Sequence, residues 1–261
     1  MSNLGRKGEM KNPLAYTTTV MSWGFFLSSF ERVKAAGTYE SELDLNLEAP
    51  SSVVLSAVSI EAFCNEISSL ARAFVFDKER EQSLSKRQTP GIKREALDQL
   101  CALSQDGRGS FYDRYKRVLK LLEASNPALL EDMVCLRDLR DGLVHFRSCD
   151  VPIQEGEDGV IRYAQEAPEV LRRLSKKEIY GRPVVVPDKD LEWTLRISTN
   201  AMSIWALKLT CDAALFLLDV LPAGDFKKFV IEAYRPRGYT YRDLYSKAKE
   251  DIAVWECEIF S

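Results

Sequence analysis

Apolar residues recur along this chain at intervals of three and four, the spacing that turns one side of a helix toward a core. Pro13 precedes a first segment, Leu14 to Ala36, closed by Gly37 as helices often are. Pro50 and Ser51 open a second, running to about Phe76, with Val54, Val58, Ile60, Phe63, Ile67 and Leu70 on its apolar side. Asp77 to Pro90 is charged and polar and reads as a connector or a short solvated helix. Ile92 to Leu103 is a short amphipathic helix, followed by a loop over Ser104 to Arg108. Ser110 is an N-cap for a helix through Ala124. Asn126 and Pro127, a cap residue followed by proline at the first helical position, start the next, which runs to about Arg147.

Chain breakers then concentrate in residues 148–188: Pro152, Gly156, Gly159, Pro168, Gly181, Pro183 and Pro187. This stretch is expected to be a long irregular insert with one short helix, about Pro168 to Lys177, and a short strand over Val184 to Val186. One long helix, Asp190 to Leu221, follows and ends at Pro222 to Gly224. Two shorter helices, Asp225 to Tyr234 and Tyr241 to Phe260, complete the chain. Long helices with short connections predict an all-α fold, an antiparallel helical bundle. No internal repeat or low-complexity tract interrupts it.

The formal net charge is −3, so no global basic field marks a nucleic-acid binder, although a local basic groove is sufficient for one. The six cysteines, at 64, 101, 135, 149, 211 and 257, form no CxxC pair, and there is a single histidine. No metal site and no cofactor are expected from that set; the thiols read as reduced and mostly buried. Met1 to Lys11 is polar and does not resemble a signal peptide. The longest apolar stretch, Ala201 to Val220, contains Lys208, Asp212 and Asp219, which argues against a membrane span. The expectation is a cytoplasmic protein without a membrane partner. Neither a phosphate-cradling glycine loop nor a GxSxG elbow is present.

The only histidine, His145, sits late in the Asn126 helix. At ~100° per residue, Asp141 lies one turn before it on the same face, with Arg137 and Asp138 a turn earlier and Arg140 at the border of that face, within swing of the histidine. Leu129, Leu136, Leu139, Leu143 and Phe146 form the opposite, core-facing stripe. Leu130 and Val134 lead into the charged cluster, so this face is expected to meet another helix, in the bundle or in a second subunit. RNA can be cut without a metal by attack of its own 2′-hydroxyl on the neighbouring phosphate. That reaction needs a group titrating near neutral pH, which histidine supplies. It also needs a fixed cation for the charge growing on the phosphoryl oxygens, which arginine supplies. Asp141 is placed to orient them.

The phrase Cys135-Leu136-Arg137-Asp138-Leu139-Arg140-Asp141-Gly142-Leu143-Val144-His145-Phe146 resembles the signature helix of HEPN-domain proteins: an arginine, a polar residue, three more residues, then histidine. Ala57 to Glu66 resembles the long helix that precedes it in such proteins. The resemblance covers mainly residues 51–147, with the Asp190 helix closing the bundle. It implies a single HEPN-like helical domain over 1–261, its core about 51–221, with the 148–188 insert and extra terminal helices at 222–261 and before 50. It implies a metal-independent endoribonuclease of the toxin or anti-phage type, with Arg140 and His145 as the catalytic pair and Asp141 beside them. Glu61, Asn65 and Arg137 take supporting positions. It further implies a homodimer through the Arg140/His145 helix face, since each chain carries one motif, and as possible partners an antitoxin or a nucleotidyltransferase.

Two basic clusters accompany the motif. Arg114, Lys116, Arg117 and Lys120, interleaved with Tyr112 and Tyr115, read as a solvated face over half-buried tyrosines or as an RNA-binding face that tracks phosphates and stacks bases. Arg172, Arg173, Lys176 and Lys177 beside the insert read as a substrate clamp or as an exposed charge run. Trp23, Phe25, Phe26, Trp193, Trp205 and Trp255 read as core or interface aromatics. Besides the ribonuclease, two readings stand: a non-catalytic helical module that binds RNA or a protein, and a regulatory partner of a nucleotidyltransferase.

Overall fold

In the computed structural model the described residues are 21–37, 45–81, 91–103, 109–145, 153–155, 161–163, 167–232 and 238–260. The fold is all-α. Its centre is α2 (Ala49–Glu81), which packs against α1 (Ser22–Gly37), α3 (Arg94–Leu103), α4 (Phe111–Leu121), α5 (Pro127–Val144), α8 (Asn200–Val220) and α9 (Asp225–Glu232). Val53, Ala57, Ile60, Cys64, Ile67, Ala71 and Phe74 recur on α2 at helical spacing and are all buried. The helix passes the predicted end at Phe76 because Lys78 to Glu81 are good helix formers with no breaker among them. Of the first predicted helix, residues 14–20 lie outside the described residues; the rest is α1.

One buried carboxylate ties three helices. Glu66, on α2 and 4% exposed, accepts the Met21 and Ser22 N–H groups at 2.6 and 2.8 Å, the Ser22 hydroxyl at 2.6 Å and the Tyr241 hydroxyl at 2.6 Å. The N-terminal turn of α1 is therefore capped by another helix instead of by its own preceding residue. Ser59 donates to the Ser22 carbonyl at 2.8 Å, and Asn46 donates to the Val33 carbonyl at 3.0 Å. These contacts run α1 antiparallel to α2.

The terminal helices, expected as additions to a 51–221 core, belong to that core. Phe26 and Val33 of α1 are fully buried, as are Tyr241, Tyr245 and Ile252 of α10 (Tyr241–Phe260). Phe26 and Tyr245 meet edge-on at 5.7 Å, Phe30 and Trp255 at 6.0 Å, and Phe63 and Tyr241 at 5.3 Å. α8 and α10 run antiparallel, with Lys208 bound to Glu256, Asp212 to Lys249 at 2.5 Å and Asp219 to Arg242 at 2.6 Å. Ala49–Asp77 and Asn200–Val220 are each long and apolar enough to cross a membrane, but 78% of the most apolar window of α8 is buried against the other helices.

The single long helix predicted over Asp190 to Leu221 is two: a turn, α7 (Trp193–Arg196), and α8. Thr199 separates them. Its backbone is extended (φ −126°, ψ 152°), its Oγ1 accepts the Met202 N–H at 2.9 Å as the N-cap of α8, and its hydroxyl donates to the Val184 carbonyl at 3.1 Å. A bridge from Thr199 to Leu45 holds this extended point in place. The insert is also more ordered than predicted. It contains the antiparallel hairpin β1 (Ile153–Glu155) and β2 (Ile161–Tyr163), the short helix α6 (Glu169–Leu174), and the hairpin β3 (Glu178–Ile179) and β4 (Arg182–Pro183). Tyr180 and Gly181, at φ +51° and +71°, make the two-residue turn between β3 and β4, the backbone that suits strand twist. Val184 to Val186 is not a strand: the Val184 N–H binds the Lys177 carbonyl at the base of the β3–β4 hairpin, and the Val186 N–H turns instead to the Arg196 carbonyl.

Candidate active site on the last turns of α5

Asn126 caps α5, accepting the Leu129 N–H at 3.2 Å, and Pro127 occupies the first turn, as the sequence predicted. Leu129, Met133, Leu136 and Leu139 are buried against α2 and α8, which fixes the helix's rotation. α4 and α6 flank it. The remaining strip, through Leu130, Val134, Asp138 and Asp141 to His145, is half-buried and then exposed. Phe146 and Arg147, the predicted end of the helix, lie outside the described residues.

His145 is the C-cap of α5. Its backbone N–H donates to the Asp141 carbonyl at 3.0 Å and its side chain is exposed. Arg140 and Asp141 are joined by a bond from Nη1 to Oδ1 of 2.8 Å, with the two side chains 31% and 45% exposed. Five residues of helix turn Arg140 some ~140° away from His145. The bond joins the guanidinium to the carboxylate of Asp141, which lies one turn below His145. The expected orienter therefore holds the arginine. Arg137 pairs with Asp138 through Nε (2.9 Å) and Nη2 (2.7 Å), and this hydrogen bond keeps its guanidinium above the usual arginine range. Asp138 is shared with Arg173 of α6 at 3.8 Å, and Lys177 binds Asp132 at 2.5 Å. Two members of the second basic cluster thus neutralise α5 carboxylates; Arg172 pairs with Glu169 on α6 itself, and Lys176 is exposed.

Other expected residues are placed elsewhere. Arg114, expected on an RNA-binding face, is only 9% exposed, donates to Asn65 Oδ1 and lies 3.6 Å from Glu61 Oε1. It ties α4 to α2, so Glu61 and Asn65 support that tie and not the Arg140/His145 pair. The resemblance gave Glu61 and Asn65 only a supporting position; which arginine they meet depends on α4's rotation, set by its buried Phe111, Val118 and Leu119. Tyr115 is fully buried and donates to the Ala213 carbonyl at 2.9 Å. Lys116, Arg117 and Lys120 are exposed, and Tyr112 is half-buried. Among the described residues Cys64, Cys101, Cys135 and Cys211 are buried or half-buried and Cys257 is exposed, while Cys149 lies outside them; burial pushes the Cys64 and Cys211 thiols up.

On the far side of the α5 terminus, Leu143 joins Ser28, Arg32, Pro50, Ser51, Val54 and Leu55 around an open cleft of about 490 Å³. Among the described residues no three histidine, cysteine, aspartate or glutamate side chains gather as metal ligands would. The end of α5 thus presents an exposed imidazole, a half-exposed guanidinium and a carboxylate. Such a set can move a proton and hold an anion. No family model matches this chain, nor does any curated protein or solved structure.

Proposed function

We propose that this protein is a metal-independent endoribonuclease of the HEPN kind, acting as a toxin or anti-phage effector. The observation that carries the reading is the Arg140–Asp141 bond, which ties the guanidinium to a carboxylate one turn from His145, the exposed residue that ends α5. A phosphate there displaces Asp141 from Arg140, and the arginine takes two phosphoryl oxygens in its fork. The 2′-hydroxyl attacks the adjacent phosphorus, its proton leaves to a base, and the departing 5′-oxygen takes a proton from an acid. The products are a 2′,3′-cyclic phosphate and a 5′-hydroxyl.

Two proton transfers need two groups, and each chain has one imidazole. A homodimer through the Arg140/His145 face of α5 supplies the second His145 and makes one composite cleft. Leu130, Val134 and the 48%-exposed Val144 give that contact its apolar part.

The test is cleavage of a mixed RNA pool in EDTA by the native protein, His145→Ala and Arg140→Ala. The expected result is cleavage by the native protein, reduced by about a hundredfold or more in both variants. No cleavage by any form overturns the reading in favour of a non-catalytic module that binds RNA or a protein. Equal cleavage by all three places the activity outside this pair.

A further inference from the structure

The basic cluster on α4 meets α5 at one aromatic ring. Tyr112 is half-buried, packed on the core with its outer part at the surface. The Arg137 guanidinium lies 5.3 Å from the ring centroid and Lys116 Nζ 6.0 Å from it. Arg137 comes from α5 and Lys116 from the next turn of α4, so two elements converge on one tyrosine. Among the described residues Lys116 and Lys120 have no carboxylate partner, and Asp113, the acid on this face of α4, is engaged in capping Ser110. Arg137 is paired with Asp138, so the positive charge left over at this spot is that of Lys116 and Lys120, in a chain of net charge −3. It also lies in line with the α5 terminus: Arg137 is one turn from Arg140 and about 12 Å along the helix axis from His145.

We propose that Tyr112, Lys116 and Arg137 form a nucleotide subsite that holds single-stranded RNA beside the cleavage point. This rests on the ribonuclease reading of Arg140 and His145. The exposed part of the tyrosine, backed by two cations, stacks a base, and Lys116 meets the phosphate next to it. Recognition at an aromatic face is tolerant of base identity, so the subsite grips a strand without selecting its sequence. Arg117 stands outside it: its guanidinium lies back against Gly109, within 3.2 Å of where a Cβ there would sit.

The experiment separates binding from cutting. A fluorescent 2′-O-methyl RNA of about ten nucleotides has no free 2′-hydroxyl, and its affinity is read by anisotropy over a salt series. Tyr112→Leu is expected to weaken binding about tenfold, while Tyr112→Phe stays within about twofold because the ring is kept. Lys116→Gln, on the exposed face, should weaken binding and lower the slope of log affinity against log salt by about 0.7. Native-like affinity and slope in both Tyr112→Leu and Lys116→Gln, or no binding by the native protein, overturns the subsite. If RNA is cut in a His145-dependent way yet binding ignores Tyr112 and Lys116, the subsite alone falls. If binding depends on Tyr112 and Lys116 but no RNA is cut, the subsite stands and the ribonuclease reading falls.

Discussion

Replacing Glu66 with alanine removes the acceptor of four hydrogen bonds at once. Three of the four donors, the Ser22 N–H, the Ser22 hydroxyl and the Tyr241 hydroxyl, are buried and have no route to bulk water. Stranding a buried donor costs about 1–3 kcal/mol each, and partial relaxation brings the total to about 3–5 kcal/mol, the usual cost of breaking a buried charged contact. For a chain of this length each kcal/mol moves the melting temperature by about 2–4 °C, so Glu66→Ala should melt about 10 °C lower. The measurement is a thermal melt followed by circular dichroism, paired with urea midpoints for Glu66→Ala, Tyr241→Phe and the double variant. The double variant should lose less than the sum of the two singles, because removing both partners strands fewer groups. A Glu66→Ala melt within about 2 °C of the native protein, or strict additivity, would refute the assignment of this carboxylate as the tie between α1, α2 and α10.

Three further outcomes are expected. Burial holds the phenols of Tyr115, Tyr241 and Tyr245 above their ordinary value of 10.0, with the Glu66 charge adding to the shift at Tyr241. The unfolded chain therefore releases these protons first. Stability is fully present below pH 10 and falls above it by about 1.4 kcal/mol per pH unit for each tyrosine, so a urea midpoint that is the same at pH 9 and pH 11 would contradict the burial. Gly91 has φ +72°, and a Cβ there would sit 2.1 Å from the Ala223 carbonyl oxygen; Gly91→Ala should cost about 2–4 kcal/mol, read as a lower urea midpoint. Gly142 lies inside α5, and its Cβ would meet only Trp193, at an ordinary 3.6 Å. Gly142→Ala should raise stability by about 0.5–1 kcal/mol, and a loss there would mean that the last turns of α5 are not helical.

What could be read in advance was local. Ser110 with Asp113, and Asn126 with Pro127, carry their caps within four residues, and both helices begin where those residues say. The side of α5 that faces the core followed from the leucine spacing, because burial against α2 enforces it. The break before α8 was missed because no glycine or proline marks it; the signal was the run Ser198-Thr199-Asn200, three residues that prefer caps to helix interiors. The insert hairpins have strands of two or three residues, too short for alternation to show. Arg114 resembled its neighbours Lys116 and Arg117 in sequence, and only the rotation of α4 on α2 separates the buried cation from the exposed ones. Glu66 met its partners from residues 21, 22 and 241, a convergence that no window along the chain contains.

Of the three ion pairs described between α8 and α10, two share one polarity and the third is reversed. Asp219 and Asp212 on α8 face Arg242 and Lys249 on α10, whereas Lys208 on α8 faces Glu256. A slide of α10 by two turns in one direction would set Lys249 against Lys208; the opposite slide would set Glu256 against Asp212. Either misalignment places like charges together, which opposes it much as flanking charges choose the pairing of coiled-coil strands. The reversed third pair makes the seam directional, so the final helix can dock in a single alignment even though its apolar residues repeat. A chain with all three pairs of one polarity would keep the same attraction and lose that discrimination.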